Sequence, residues 1–408
     1  MNPTKWNVIA TLLVSGALAC GSGTTTVNDS DSGSSNASQS SNTGNGSADA
    51  TSTGPNADTP DASADGGPAD MAAPTPLEHF LYVVELSGVI HWYDLGDPAA
   101  PSELGSTNIG GRVTFGAFHP LLERLYVTNE SRVEGYEIGG LEPMAVGQGN
   151  TVLGGTHLEV TADGNAIVTA SYGGDAVIVN PLQAGVPQDA TQTIGGSGSG
   201  VCARAHQVRV HPGGRWVYVP CLGDNHVAIF EWDGAQLVSR GVAETGPDMG
   251  PRHLDFHPAL DVLYVLGEVN STVEVFDIDL ATGGLSRRQT TSTMADRTGA
   301  SASSDIHVSP DGRFLYAMNR QPIHDLALFT IDPATGDLTW VENVDSGGEH
   351  SRSFTIHPDQ SHLYVGNSDT RDMAVFSVAS DGRLTEVVSL SYDARVWFVG
   401  VWSRPVGE

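Results

Sequence analysis

The chain repeats itself, and the repeat limits what it can become. Six short apolar segments carry a tyrosine in a Leu/Val setting: Tyr82 (FLYVVE), Tyr126 (RLYVTN), Tyr218 (WVYVPC), Tyr264 (VLYVLG), Tyr316 (FLYAMN) and Tyr364 (HLYVGN). Val168 (AIVTAS) takes that place in a seventh segment, and successive anchors stand 42–52 residues apart. A second apolar segment follows each anchor by 10–13 residues, centred on Tyr93, Tyr136, Val179, Phe230, Phe276, Phe329 and Phe376. From the second repeat on, a proline or its substitute precedes each anchor by six residues: Pro120, Ala162, Pro212, Pro258, Pro310 and Pro358. Turn signals such as Gly213-Gly214 and Asp311-Gly312 lie between. All-strand units of about 40–50 residues mark propeller blades, because one such sheet cannot bury both faces without neighbours. A helical solenoid would show a 3.6-residue period instead, and none is found. The expected fold is all-β, a seven-bladed β-propeller over residues 78–408. Its first repeat lacks an innermost strand, and the final segment Arg395–Trp402 (RVWFVGVW) is expected to supply it, closing the ring and removing exposed edges.

Residues ahead of the repeat read differently. Lys5, the apolar run Val8–Leu18 and the small-residue stretch Ala17-Leu18-Ala19 have the form of an export signal over residues 1–19. The next residue, Cys20, makes this resemble a bacterial lipoprotein signal, in which that cysteine takes a lipid. With Gly21 rather than Asp following, the expected destination is the outer membrane, the chain being held to the cell envelope by its lipid. Residues 20–77 form an expected disordered acidic linker: past Cys20 they are Gly, Ser, Thr, Asn, Asp, Ala and Pro except Val27, Gln39, Met71 and Leu77. The whole chain carries 48 acidic against 19 basic residues, a net charge of -29, which argues against binding a nucleic-acid backbone. The chain is expected to act as a monomer.

In a propeller blade the innermost strand starts, and the second strand ends, at the same rim beside the channel. Counting from the prolines, the inner strands start at Thr114, Thr156, His206, Arg252, Ser304 and Arg352. Counting on from the anchors, the adjoining loops carry Glu85, Asn129/Glu130, Ser171/Tyr172, Cys221/Leu222, Gly267/Glu268, Asn319/Arg320 and Asn367/Ser368. Two registers thus deliver His206, Arg252, Glu268, Arg320 and Arg352 to one mouth. His253 and His307 alternate away from the apolar positions, where they either line the channel or stand as satisfied structural histidines, and His253 is carried as a further substrate contact. His119, His211, His257 and His357 sit beside the proline positions at the opposite rim and are read as turn residues. No His/Asp/Glu cluster has metal-ligand spacing, and no metal or other cofactor is expected.

The stretches GPRHLDFHP with VLGEVNSTVEVF, ARAHQVRVHPGGRWVYVPCLGDNHVAIF, and SPDGRFLYAMNR with FTIDPATGDLTWVENV resemble the seven-bladed lactonase family. That family includes 6-phosphogluconolactonase and a propeller carboxymuconate cycloisomerase. The resemblance implies that His206 matches the family's histidine, Arg252 and Glu268 its Arg/Glu pair, Arg320 its second arginine and Arg352 its Arg-before-Phe position. It departs where Arg204-Ala205-His206 replaces a common His-Ala-His and where Cys221 replaces a common Asp.

The implied activity is opening of a lactone, with the sugar phosphate itself an unexpected substrate for an exported protein. Attack on the carbonyl builds an oxyanion that the Arg252 and Arg320 guanidinium groups can stabilise. Glu268 is assigned as base for the attacking water, His206 as proton donor to the leaving oxygen, and Arg352 as a clamp for a carboxylate or hydroxyl-rich substrate. The cycloisomerase direction uses similar groups. Two other readings stand beside this one. Arg252 and Glu268 can be a structural ion pair at the rim. The chain can also be a non-catalytic surface propeller binding a ligand or protein, since Tyr126-Val127-Thr128-Asn129 resembles the repeat tetrad of surface-layer propellers. Export permits a Cys202–Cys221 disulfide. Yet pairing about Gly213-Gly214 sets Cys221 opposite His206 and Cys202 four residues beyond, an awkward reach.

Overall fold

A computed structural model describes residues 76–407 except 197, 296, 298 and 300. The signal segment, Cys20 and all but the last two residues of the expected linker lie outside the described residues. Strand begins at Leu77. The described residues form seven antiparallel sheets, six of four strands and one of five. Sequence order runs from the inner to the outer strand of each, except in the first blade. There Val396–Pro405 pairs with Leu77–Glu85, from Leu77 opposite Pro405 to Glu85 opposite Val396, so the C-terminal strand closes the ring as expected. The fold is a seven-bladed β-propeller.

Its core is divided accordingly. Seven apolar clusters occupy the seven interfaces between neighbouring blades. The cluster joining the seventh blade to the first unites Tyr364 and Val375 with Leu81, Val83 and Val399. The inner strands of blades 5, 6 and 7 contribute apolar residues at alternate positions, among them Leu254 and Phe256, Ile306 and Val308, and Phe354.

The structure also gives the tyrosines a reason. Each anchor hydroxyl donates to a carbonyl oxygen of a turn in the following blade: Tyr82 to Leu141, Tyr126 to Gly185, Tyr218 to Gly283, Tyr264 to Gly336, Tyr316 to Gly382 and Tyr364 to Pro98. A buried phenol needs such a partner, and here the partner lies across an interface. Val168 has no hydroxyl, and its interface is bridged instead by Trp232, whose indole N–H donates to Asp163 at 3.0 Å. The turn histidines hold their own loops: His119 accepts from the Leu121 and Leu122 amides, and His257 from Ala259 and Leu260.

Candidate active site

At the rim where the inner strands start, most of them break register. The extra residue is Thr114 in blade 2, Arg252 in blade 5, Ser304 with Asp305 in blade 6, Arg352 in blade 7 and Trp397 in the closing strand of blade 1. Such a bulge re-aims one side chain out of the alternation. Thr114, Thr156, His206, Arg352 and Trp397 of this ring line a cavity of about 640 Å³, together with Glu268 and Arg320 from the ends of second strands. Arg112, Glu130 and Tyr172 complete its charged and aromatic wall.

Glu268 joins two blades. Its Oε2 lies 2.9 Å from Arg252 Nε and its Oε1 lies 2.8 Å from the Arg320 guanidinium. Arg252 is 2% exposed and also donates to the Ser304 carbonyl oxygen. Burial and the neighbouring Arg320 charge push its pKa down to about 10, against the pull of Glu268. Arg352 has no ion pair among the described residues; its guanidinium stacks 4.0 Å from the centre of the Trp397 ring. Burial and the charges of Arg252 and Arg320 press its pKa well below the ordinary arginine value. The cavity therefore holds in Arg352 a cation whose charged form is poorly compensated, a condition that a bound anion or developing oxyanion relieves.

His206 lies against Tyr172 at 5.5 Å and His253 at 5.2 Å between ring centres, both edge-on. Its Nδ1 is buried without a hydrogen-bond partner among the described residues. Burial first, then Arg252, His253, Arg352 and Arg320, hold its pKa well below the usual histidine value. It is therefore a neutral imidazole at neutral pH.

Of its two expected places, His253 takes the structural one. It does not line the cavity but is 3% exposed behind His206, with Nδ1 2.7 Å from Asp305 Oδ1. Burial and Arg252 push its pKa down to about 4, against the pull of Asp305. His307 lies further along the channel, beside a second cavity of about 210 Å³ that Arg209 and Glu159 also line.

The cysteine register also needs correction. Ala205, not His206, pairs with Cys221, and the His206 amide donates to Pro220. The segment before it is a turn, with Arg204 at φ 55°, rather than a continuing strand. This turn brings Cys202 within 5.0 Å of Cys221, Cα to Cα, and the two form a disulfide.

Counting by repeat found five residues of the Arg–Glu–His cluster and also Thr114, Thr156, Glu130 and Tyr172. It missed Trp397 and Arg112. Trp397 occupies in the closing strand the place that Arg352 occupies in blade 7, so the same count applied to the C-terminal strand would have found it. The Tyr126-Val127-Thr128-Asn129 tetrad is used within the fold. Asn129 accepts from the Arg112 amide and donates to Gly110, and the Tyr126 hydroxyl crosses to the next blade.

The channel mouth thus gathers an imidazole, a carboxylate and several guanidinium groups, which can polarise a carbonyl or hold an anion. The model described as Lactonase, 7-bladed beta-propeller matches residues 53–399, and the chain belongs to that family. Among curated relatives, it is 30% identical over 255 residues to the 6-phosphogluconolactonase of Bacillus subtilis (strain 168), covering 60% of this chain and 72% of the relative. It is 27% identical over 337 residues to that of Pectobacterium carotovorum subsp. carotovorum (strain PC1), covering 77% of this chain and 100% of the relative. The solved periplasmic gluconolactonase of Pseudomonas aeruginosa shares the fold with a TM-score of 0.71 and 24% identity, over 80% of this chain and 99% of that one.

Proposed function

We propose that the chain is a lactone hydrolase working at the Arg252–Glu268–Arg320 cluster, on a lactone that carries a carboxylate or several hydroxyl groups. The observation that carries this reading is Glu268 held between Arg252 and Arg320 at 2.9 and 2.8 Å in the cavity that His206 and Arg352 line. Neutral His206 takes a proton from water as the oxygen attacks the lactone carbonyl. Charge grows on the carbonyl oxygen and is met by the Arg320 and Arg352 guanidinium groups, of which Arg352 has no ion pair among the described residues. The ring C–O bond then breaks, and the imidazolium returns its proton to the leaving alkoxide. Glu268 keeps both neighbouring guanidinium groups in place and accepts a hydrogen bond from the attacking water. Trp397 backs Arg352, limiting the orientations of a bound anion.

We further infer that the protein works outside the cytoplasm, tethered through Cys20. The Cys202–Cys221 disulfide supports an oxidising compartment, and the fold-related Pseudomonas protein is named as periplasmic. The purified full chain, given a panel of γ- and δ-lactones in a pH-indicator assay, is expected to release acid faster than buffer alone. Flat traces across the panel would refute the hydrolase reading.

A further inference from the structure

The third residue after each anchor does one job in most blades. Asn129 ties the Gly110–Arg112 segment, and the Ser171 hydroxyl donates to Gly154. Asn319 accepts from Ser303, Asn367 accepts from Ser351 at 2.6 Å, and Glu85 accepts from the Ala394 amide. In each case the residue tied lies just ahead of the one that the inner strand presents at the ring: Thr114, Thr156, Ser304, Arg352 or Trp397. In blade 4 the same position is Cys221 and the residue presented is His206.

Blade 4 also needs the tie more. Its inner strand is only Arg209–Val210, paired at two positions, whereas the inner strand of blade 5 spans Pro251–Phe256 and that of blade 7 Ser351–Ile356. Between this short ladder and the cavity, the chain has the Ala205–Cys221 bridge, single amide contacts of His206 to Pro220, Leu222 to Arg204 and Gly223 to Ala203, and side-chain ties: the Ala203 amide donates to Asp224, the Arg204 amide to Asp175 and the Leu254 amide to Gln207. The disulfide lies at their head, with Cys202 1% and Cys221 0% exposed. The turn it closes also places Arg204 over the Tyr172 ring, which meets His206 edge-on.

We propose that the Cys202–Cys221 disulfide is the positioning element of His206, a covalent counterpart of the hydrogen-bonded ties in the other blades. The inference rests on the lactone-opening reading of the site. Without the bond, the segment from Cys202 to Gln207 is held by single hydrogen bonds alone, the Asp224, Asp175 and Gln207 side-chain ties among them, and the imidazole loses its covalently fixed distance from Arg252 and Arg320. A misplacement of about 1 Å costs on the order of 100-fold in turnover.

The test replaces both cysteines, as Cys202→Ala with Cys221→Ala, and measures kcat and KM separately. The expected result is a kcat about 10- to 100-fold lower with KM within about twofold. In a His206→Ala background the same pair of substitutions is expected to change kcat no further, because the lost interaction acts through His206. Cys202→Ser with Cys221→Asn restores a tie of the Ser351–Asn367 kind and is expected to recover part of the loss. Parental kcat in the disulfide-free protein, or an equal loss in the His206→Ala background, overturns the proposal. A His206→Ala variant with parental activity, or a parent inert toward every lactone, instead overturns the reading of the site. Should the cysteine variants fail to fold, a phosphine reductant is titrated into the native protein while turnover and tryptophan fluorescence are followed. Turnover is expected to fall at lower reductant than the fold, and simultaneous loss refutes the positioning role.

Discussion

Replacing His307 by Gln should flatten the dependence of stability on pH between pH 6.5 and about 9. His307 sits between two carboxylates, with Nε2 3.5 Å from Asp305 Oδ2 and Nδ1 3.7 Å from Asp255 Oδ2. Burial alone would push its pKa down, but the Asp305 charge and its contacts with both carboxylates overcome this and raise it to about 9. A histidine whose folded pKa lies above its unfolded one adds stability that is complete below pH 6.5. That contribution fades as pH rises through the folded value. Between 6.5 and about 9 the linkage amounts to about 3 kcal/mol, since one pKa unit corresponds to about 1.4 kcal/mol. Glu159, whose pKa burial pushes up to about 7, titrates nearby but is common to parent and variant and so cancels in their difference. Urea unfolding of both proteins at about pH 6 and about pH 10 gives that difference. The gap in unfolding free energy is expected to be wider by about 3 kcal/mol at the lower pH. A gap independent of pH would refute the view that His307 is held as a cation between the two carboxylates.

Further outcomes follow from the same geometry. With the His206 pKa held well below the usual histidine value, kcat/KM is expected to stay level from about pH 8 down to about pH 6, its acid limb appearing only lower; a limb centred near 6.5 would contradict this. Trp397→Leu removes the ring beneath Arg352 and should raise KM about 5-fold, matching about 1 kcal/mol of guanidinium stacking, with kcat within about twofold in steady-state kinetics. Ending the chain after Ser391 strips the inner strand from Leu81, Val83 and Val84, and size-exclusion chromatography should show aggregates in place of a compact species.

The repeat made the fold legible because every blade buries the same positions. The tyrosine anchors, the apolar alternation and the unpaired final strand all report one packing problem solved seven times. The site was legible as far as that register runs, which is why His206, Arg252, Glu268, Arg320 and Arg352 were found together. Counting failed where local geometry departs from the ladder. His253 follows the bulged Arg252 and turns behind the ring toward Asp305, a displacement of one residue that spacing does not record. The turn at Arg204 likewise shortens the reach between Cys202 and Cys221, which a straight hairpin would have kept apart. The charge state of His206 depends on its burial and then on Arg252, His253, Arg352 and Arg320 from other blades, and so emerges only once the ring is closed.

The most direct measurement compares lactone hydrolysis by the parent, Arg252→Ala and Glu268→Gln, with circular dichroism run on each sample. The account predicts that both variants keep the parental β-sheet spectrum while kcat/KM falls by about 100-fold or more. Parental rates in either folded variant would mean that Arg252 and Glu268 form a structural ion pair and that the chemistry lies elsewhere.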